Sequence, residues 1–206
     1  KIIKETYGVD SFVLYPTINK QFLNFGKSKR KGRRKNYILG SGRIIRQKRF
    51  DYLIEAVSLM KKKMPVILAG KYDEKEKKYL EKLAKEKKVE LKLLGPLATT
   101  ELAKIYGSAK VCVLTCPKEW FGIVPLEAIS CGCPVVAWKD GFGPEETIIE
   151  NVNGNLAKAY DTKDLAEKIE LALNKKWNEK KMSKSIEKFM EEEQEKILLK
   201  EVRKLL

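Results

Sequence analysis

The sequence predicts an α/β fold, a parallel sheet of about six strands with helices on both faces. Three observations predict it. Short apolar runs recur along the chain without the in–out alternation of a half-exposed sheet, as strands buried on both faces require. Between them lie longer stretches that keep one face apolar at helical spacing. The two kinds of segment alternate, which implies right-handed crossovers between parallel strands. At 206 residues, one such domain with an extra arm is the expected scale.

The elements follow in order. The first 35 residues end in Lys27–Lys35, a run that is almost all Lys and Arg. It builds no core, and it reads as a solvated linker or a patch for an anionic surface. The first strand is Tyr37–Gly40. Phe50, Leu53, Ile54, Val57 and Met60 then make one helical face. Strand Val66–Ala69 precedes a helix carrying Tyr79, Leu80, Leu83 and Ala84. Strand Leu91–Leu94 precedes a helix with Leu102, Ile105 and Tyr106, capped by Thr99 or Thr100. Strand Val111–Thr115 leads to a helix whose first turn holds Pro125. Strand Val135–Trp138, a weaker strand Asn155–Ala157 and a helix with Leu165, Ile169 and Leu173 complete the pattern. From Trp177 to Leu206 two charged helices follow. The last carries a stripe of Ile197, Leu198, Val202 and Leu205, which fits packing on this domain or on a neighbour. The expected organisation is therefore 1–35 as hinge and basic linker, 36–176 as the sheet domain, and 177–206 as C-terminal helices.

Composition excludes several functions. There is no histidine, so no histidine base or metal ligand comes from this chain. The net charge of +15 favours anionic partners, or marks a Lys-rich solvated surface. The most apolar stretch, Phe121–Trp138, contains Pro125, Glu127 and Pro134, which a membrane-spanning helix would not tolerate. Cys112, Cys131 and Cys133 lie in apolar runs and Cys116 just beyond one. None forms paired CxxC spacing, so small buried hydrophobes in a reducing compartment are expected, with no zinc. The chain begins with Lys1 inside a charged stretch, not with a signal peptide, which suggests a processed or excised piece.

Two nucleotide motifs fail. Gly40-Ser41-Gly42 follows a strand, but Ile45 stands where a dinucleotide fingerprint needs its third Gly. The next strand also ends Leu68-Ala69-Gly70 without an acidic residue. Gly26-Lys27-Ser28 mimics the end of a P-loop, with Gln21 where its first Gly belongs. No Asp-x-Asp clamp for a metal diphosphate occurs.

Ligands of parallel sheets sit beyond the carboxyl ends of the strands, so the loops there carry the chemistry. After the first strand, Gly42 turns the chain, and Arg43 and Lys48 bracket a loop feeding a helix start. A guanidinium fork and a mobile ammonium suit a diphosphate, though either alone is an ordinary surface cation. After the fourth strand comes Cys116-Pro117-Lys118-Glu119-Trp120-Phe121-Gly122-Ile123-Val124-Pro125-Leu126-Glu127. The N–H groups of Gly122, Ile123 and Val124 are placed for an anion. Glu127, read as a first-turn residue, is expected to stay ionised under the helix dipole and to accept both ribose hydroxyls. Glu119 stands level with whatever hangs from the phosphates. A third loop, Lys139–Glu146, faces the same edge.

These residues resemble a family. Gly42-Arg43 with Lys48, Leu94-Gly95-Pro96, Glu119-x7-Glu127 around Phe-Gly-Ile-Val, and Cys131-Gly132-x-Pro134-Val135-Val136-Ala137 look like the C-terminal half of glycosyltransferase family 4. Tyr15-Pro16-x-Ile18-Asn19 resembles its hinge. The resemblance implies the GT-B architecture of two Rossmann-like domains with a cleft between them. It implies that Arg43 and Lys48 hold the donor diphosphate, with the catalytic set Arg43, Lys48 and Glu119. It implies that the Phe121, Gly122, Ile123 and Val124 backbone contacts phosphate and sugar. Glu119 would bind a sugar hydroxyl and Glu127 the ribose. Leu94, Gly95 and Leu97 would face the base. Two departures stand out. Arg49 replaces the usual Gly, which is expected to stiffen the helix start, and Gly141-Phe142-Gly143 replaces a Gly-Gly pair.

The implied reaction is retaining hexosyl transfer, without a metal or cofactor, from a nucleoside-diphosphate sugar to a glycan or lipid-linked acceptor. GDP-mannose comes first as donor and a UDP-sugar second. The implied partner is an N-terminal acceptor domain absent from this chain, and the implied place is the cytoplasm, with possible contact to an anionic membrane. Two rivals remain at this stage: a glycosidase using Glu119 and Glu127, and a basic nucleic-acid-binding module, which lacks aromatics beside its Lys/Arg run.

Overall fold

A computed structural model describes residues 2–27 and 34–204. Most of the basic run Lys27–Lys35, and Leu205 of the last apolar stripe, lie outside the described residues. Helices α1 (Ile2–Tyr7) and α2 (Lys20–Lys27) precede β1 (Ile38–Ser41) and α3 (Phe50–Leu59). Then come β2 (Val66–Ala69), α4 (Glu74–Lys87), β3 (Leu91–Leu94), α5 (Thr99–Ser108), β4 (Val111–Leu114) and α6 (Ile123–Ser130). The chain ends with β5 (Val135–Lys139), α7 (Pro144–Thr147), β6 (Gly154–Lys158), α8 (Thr162–Asn174), α9 (Glu179–Ser185) and α10 (Glu191–Val202).

All six expected strands form, with ends moved by a residue or so. They make one parallel sheet in the order β3-β2-β1-β4-β5-β6. The chain winds outward from β1 to β3, then returns to lay β4 against the other side of β1. That reversal opens a crevice at the carboxyl ends of β1 and β4, where doubly wound sheets take their ligands. One core layer packs Leu39, Cys112, Leu126 and Ala137 under α5 and α6. The other packs Ile38, Leu53, Val113 and Trp138 under α3, α4 and α8. Both faces are thus covered, which is why the strands read as unbroken apolar runs.

The cap of α5 differs from expectation. Thr99 is its first helical residue, Ala98 is the cap, and the Ala98 N–H is taken by Glu101 Oε2 at 3.1 Å. This is the glutamate half of a capping box, in which the third helical residue reaches back to the cap N–H.

Part of the segment before β1 joins the core. Ile18 and Phe22 are buried, and the Phe22 ring meets Tyr106 edge-on at 5.8 Å. Each such side chain contributes roughly 1.5–3 kcal/mol of burial. Tyr15 stacks on Phe121 at 5.7 Å and meets Phe189 edge-on at 5.0 Å. At the other end, Met182, Ile186 and Phe189 are fully buried in the same layer. The Tyr15 N–H donates to Gln194 Oε1 at 2.8 Å, tying the early segment to α10. The apolar residues of α10 (Ile197, Leu198, Leu199 and Val202) are exposed instead, as are Phe12, Val13 and Leu14. Among the described residues, no helix is long and apolar enough to cross a membrane.

Candidate functional site

The reversal of strand order sets the loops after β1 and β4 face to face. The β1 loop starts with Gly42 at φ 127, crosses to β2 where the Ile44 N–H meets Lys71 O at 2.8 Å, and ends in a single 3₁₀ turn, Arg46–Lys48. The Thr115 hydroxyl donates to Lys48 O at 3.0 Å and pins this turn to the end of β4. Arg49 then takes a left-handed conformation, φ 49 and ψ 47, which costs a residue with a side chain about 1–2 kcal/mol. This explains why glycine suits the position, and it locates the stiffening expected of Arg49. The guanidinium forks onto buried Asp51, with Nε 2.9 Å from Oδ1 and an amino nitrogen 2.9 Å from Oδ2, and lies 3.9 Å over the Tyr52 ring. These contacts offset the strain.

Lys48 and Glu119, read from two separate loops, meet directly. Nζ of Lys48 is 2.6 Å from Glu119 Oε2 and 3.6 Å from Cys116 Sγ. Both charged side chains are largely screened, at 24% and 20% exposure. Burial disfavours the Lys48 charge, but the neighbouring Glu119 carboxylate and Cys116 outweigh it and the pKa rises. Cys116 therefore departs from expectation. Cys112, Cys131 and Cys133 are buried in the core, whereas Cys116 is half-buried and lines this site, its thiol pushed up by burial. Arg43 is exposed on the same loop as Lys48 and makes no ion pair among the described residues.

Gly122 caps α6 at φ 78, a left-handed turn that favours glycine. No side chain caps that helix among the described residues, so the first N–H groups, those of Ile123 and Val124, have no intrahelical partner and suit an anion. Pro125 is the third helical residue and has no N–H to leave unpaired.

Glu127 overturns its expectation. Helix α6 begins at Ile123, so Glu127 is its fifth residue, in the second turn, where the dipole has faded. Burial dominates there and pushes the carboxyl up to about 7, while the Tyr106 hydroxyl, 3.0 Å from Oε2, draws it back. Tyr106 is fully buried and also sits 2.8 Å from Ser41 Oγ at the end of β1. A chain Ser41–Tyr106–Glu127 thus fixes the carboxyl's position. Sequence reading had Tyr106 only as part of an apolar helix face. The signal it missed is that a buried tyrosine hydroxyl needs a partner. Of the two carboxylates of the glycosidase reading, Glu127 thus has the raised pKa that a general acid needs, whereas Glu119 is committed to Lys48.

A raised carboxyl pKa has a definite sign. The unfolded chain ionises this group near the ordinary 4.5, the folded chain only near 7, so its contribution to stability is full below about 4.5 and is lost as pH rises through about 7. Thermal melts across this window are expected to show a decline in the native chain that Glu127→Gln removes. If the group accepts ribose hydroxyls as a carboxylate, nucleotide affinity should rise from pH 6 to pH 8 in the native chain and stay flat in the variant. A native chain with affinity flat across that window would contradict the assignment.

Leu94, Gly95 and Leu97 lie at the same sheet edge, two strands from β1, with Leu94 O accepting the Gly70 N–H at 3.1 Å. The loops after β4 and β5 are tied together. The Lys118 N–H donates to Asp140 Oδ2 at 2.8 Å and the Gly143 N–H to Glu119 O at 2.9 Å.

Comparison with known proteins bears on this edge. A family model described as glycosyl transferases group 1 matches residues 23–189. An uncharacterized glycosyltransferase of Methanocaldococcus jannaschii is 31% identical over 160 residues, which span 77% of this chain and 42% of that protein. A human alpha-1,3/1,6-mannosyltransferase is 32% identical over 76% of this chain and 44% of its own length. The chain thus spans less than half of either relative. Among solved structures, a glycosyltransferase from Rickettsia africae superposes with a TM-score of 0.80 at 19% identity, over 96% of this chain and 59% of that one. S. aureus TarM, in a structure with UDP, fondaparinux and alpha-GlcNAc-glycerol, gives 0.75 at 25% identity, over 98% of this chain and 41% of that one.

Proposed function

The chain belongs to the glycosyl transferases group 1 family and has the Rossmann-like α/β fold of a GT-B glycosyltransferase domain, and we propose that it is the donor-binding half of a retaining, metal-independent hexosyltransferase. The observation that carries this reading is the meeting of Lys48 and Glu119, a phosphate-seeking cation beside a hydroxyl-seeking carboxylate, at the crevice before the uncapped start of α6.

The donor lies along the sheet edge. Its base faces Leu94, Gly95 and Leu97, its ribose Glu127, its diphosphate Arg43, Lys48 and the amides of Gly122, Ile123 and Val124, and its hexose Glu119 and Phe121. When the sugar–phosphate bond breaks, negative charge gathers on the leaving diphosphate. Arg43, Lys48 and the amides stabilise that charge, and one such donor is worth about 3 kcal/mol in other enzymes. The leaving phosphate takes the acceptor's proton, so no protein nucleophile is required.

GDP-mannose is the first donor to test, in line with the mannosyltransferase likeness, and a UDP-sugar the second, in line with the UDP-bound neighbour. The acceptor is a glycan or lipid-linked, held against this chain by a second domain. The exposed apolar residues of α10 and of Phe12–Leu14 are the surface that domain would cover. The positive charge suits work in the cytoplasm beside an anionic membrane, with no nucleic-acid partner. Calorimetry with GDP-, UDP- and ADP-hexoses in EDTA tests the reading. One of them should bind, and loss of all binding on chelation would overturn the metal-free part.

A further inference from the structure

We propose that Trp120 and Phe142 form a stacking platform for a pyranose ring of the acceptor, at the sugar end of the donor site. The inference rests on the donor-site reading above. Trp120 is 84% exposed, although Trp138 is fully buried and Trp177 partly so. A single exposed ring is ordinary, but Trp120 adjoins the Phe142 ring at 5.6 Å, and the two together make a contiguous apolar surface in water. Its neighbours in sequence are both engaged: the Glu119 carboxylate with Lys48, and the Phe121 ring with Tyr15 and Phe189.

The platform is built. The Phe142 ring sits 5.6 Å from Trp120 at 89°, which supports the indole edge-on and leaves ring surface open. Two backbone-anchored bonds hold the loops together, from the Gly143 N–H to Glu119 O and from the Lys118 N–H to Asp140 Oδ2. A Cβ on Gly143 would stand 2.3 Å from Phe121 Cα, so only glycine permits this approach. The departure Gly141-Phe142-Gly143 thereby gains a purpose: it supplies the second ring between two glycines.

Place in the sheet selects the ligand. Strand order puts the Leu94–Leu97 loop after β3 and the two rings after β4 and β5, three and four strands away. At about 4.8 Å per strand, that is roughly 14–19 Å, too far for the base that faces Leu97 to stack on Trp120 as well. What reaches this end is sugar. Glu119 faces inward to the donor hexose, and Trp120, the next residue, is left to the solvent side from which an acceptor enters. A pyranose offers a C–H face to the indole and keeps its hydroxyls at the rim, which suits an apolar plate in water.

Saturation-transfer NMR with methyl α-mannopyranoside and methyl α-glucopyranoside, in the presence of GDP or UDP, tests this on the 206-residue chain. Nucleotide affinity is measured in parallel by calorimetry. The glycoside signal should be present in the native chain, survive Trp120→Tyr, and fall several-fold in Trp120→Ala and Phe142→Ala, with nucleotide affinity unchanged. Equal glycoside signal in Trp120→Ala, or none in the native chain, would overturn the platform. So would a Trp120→Ala variant that lost affinity for the nucleoside-diphosphate hexose relative to the bare nucleotide, since the ring would then serve the donor. A Trp120-dependent glycoside signal in a chain that binds no nucleotide would keep the platform and overturn the donor reading.

Discussion

The 206-residue chain alone is expected to bind a nucleoside-diphosphate hexose and to transfer almost none of it. Transfer needs the acceptor oxygen held against the anomeric carbon, and orientation of that kind accounts for about 7–11 kcal/mol of a barrier. The loops proposed to hold the donor, those after β1, β3 and β4, all belong to this chain. The chain spans 42% of the length of its Methanocaldococcus relative, and α10 and Phe12–Leu14 present uncovered apolar side chains. Under the proposed function, an acceptor-bearing domain covers those side chains. A radiolabelled donor assay should give transfer near background for the chain and recover it when an N-terminal half is supplied, fused or in trans. Transfer by the chain alone at the rate of a complete enzyme would show that the second domain is dispensable.

The second large effect concerns Lys48 and Glu119, which lie 2.6 Å apart, so that a bound phosphate shares the Lys48 ammonium with the Glu119 carboxylate. Lys48→Ala should weaken a free nucleoside diphosphate by about 1.5–3 kcal/mol, the worth of a hydrogen bond to a charged group. Glu119→Gln should act differently on the two halves of the donor. It removes a charge that competes with phosphate for Lys48, so the free nucleotide should bind as tightly or more so. It also weakens the acceptor for a sugar hydroxyl, so the advantage of the nucleoside-diphosphate hexose over the nucleotide should collapse. Calorimetry on the two single variants and the double variant separates these terms, because coupled neighbours are not additive. A Glu119→Gln protein that lost nucleotide and nucleotide-sugar affinity equally would show that the roles are wrongly divided.

What could be read from sequence was what the chain encodes locally. Val66–Ala69 and Val111–Leu114 announce buried strands by unbroken apolar composition, and a strand's place in the alternation carries the topology. Lys48 and Glu119 could be chosen because each sits in a loop at a strand's carboxyl end. Their direct contact could not, since it arises from β4 lying beside β1 rather than from either loop. Glu127 was misjudged for the same reason. Its position on α6 is local, but Tyr106 reaches it from α5, and the burial that governs its proton is tertiary. Phe22 was not read as core because only α5 and α6, far along the chain, give α2 somewhere to pack. Trp120 stood in plain view in the sequence, yet its exposure and its pairing with Phe142 belong to two loops that meet only in the fold.

The central claim is that a nucleoside diphosphate binds at the carboxyl edge of β1 and β4, against the start of α6. Amide chemical-shift mapping of the isotope-labelled chain, titrated with the nucleotide in EDTA, locates it directly. The largest shifts are expected at Gly42–Arg49 and at Gly122–Val124, with smaller ones at Leu94–Leu97 and Glu127. Shifts gathered at Lys61–Lys63 and Lys110, at the opposite end of the sheet, or spread evenly over the lysine-rich surface, would contradict it.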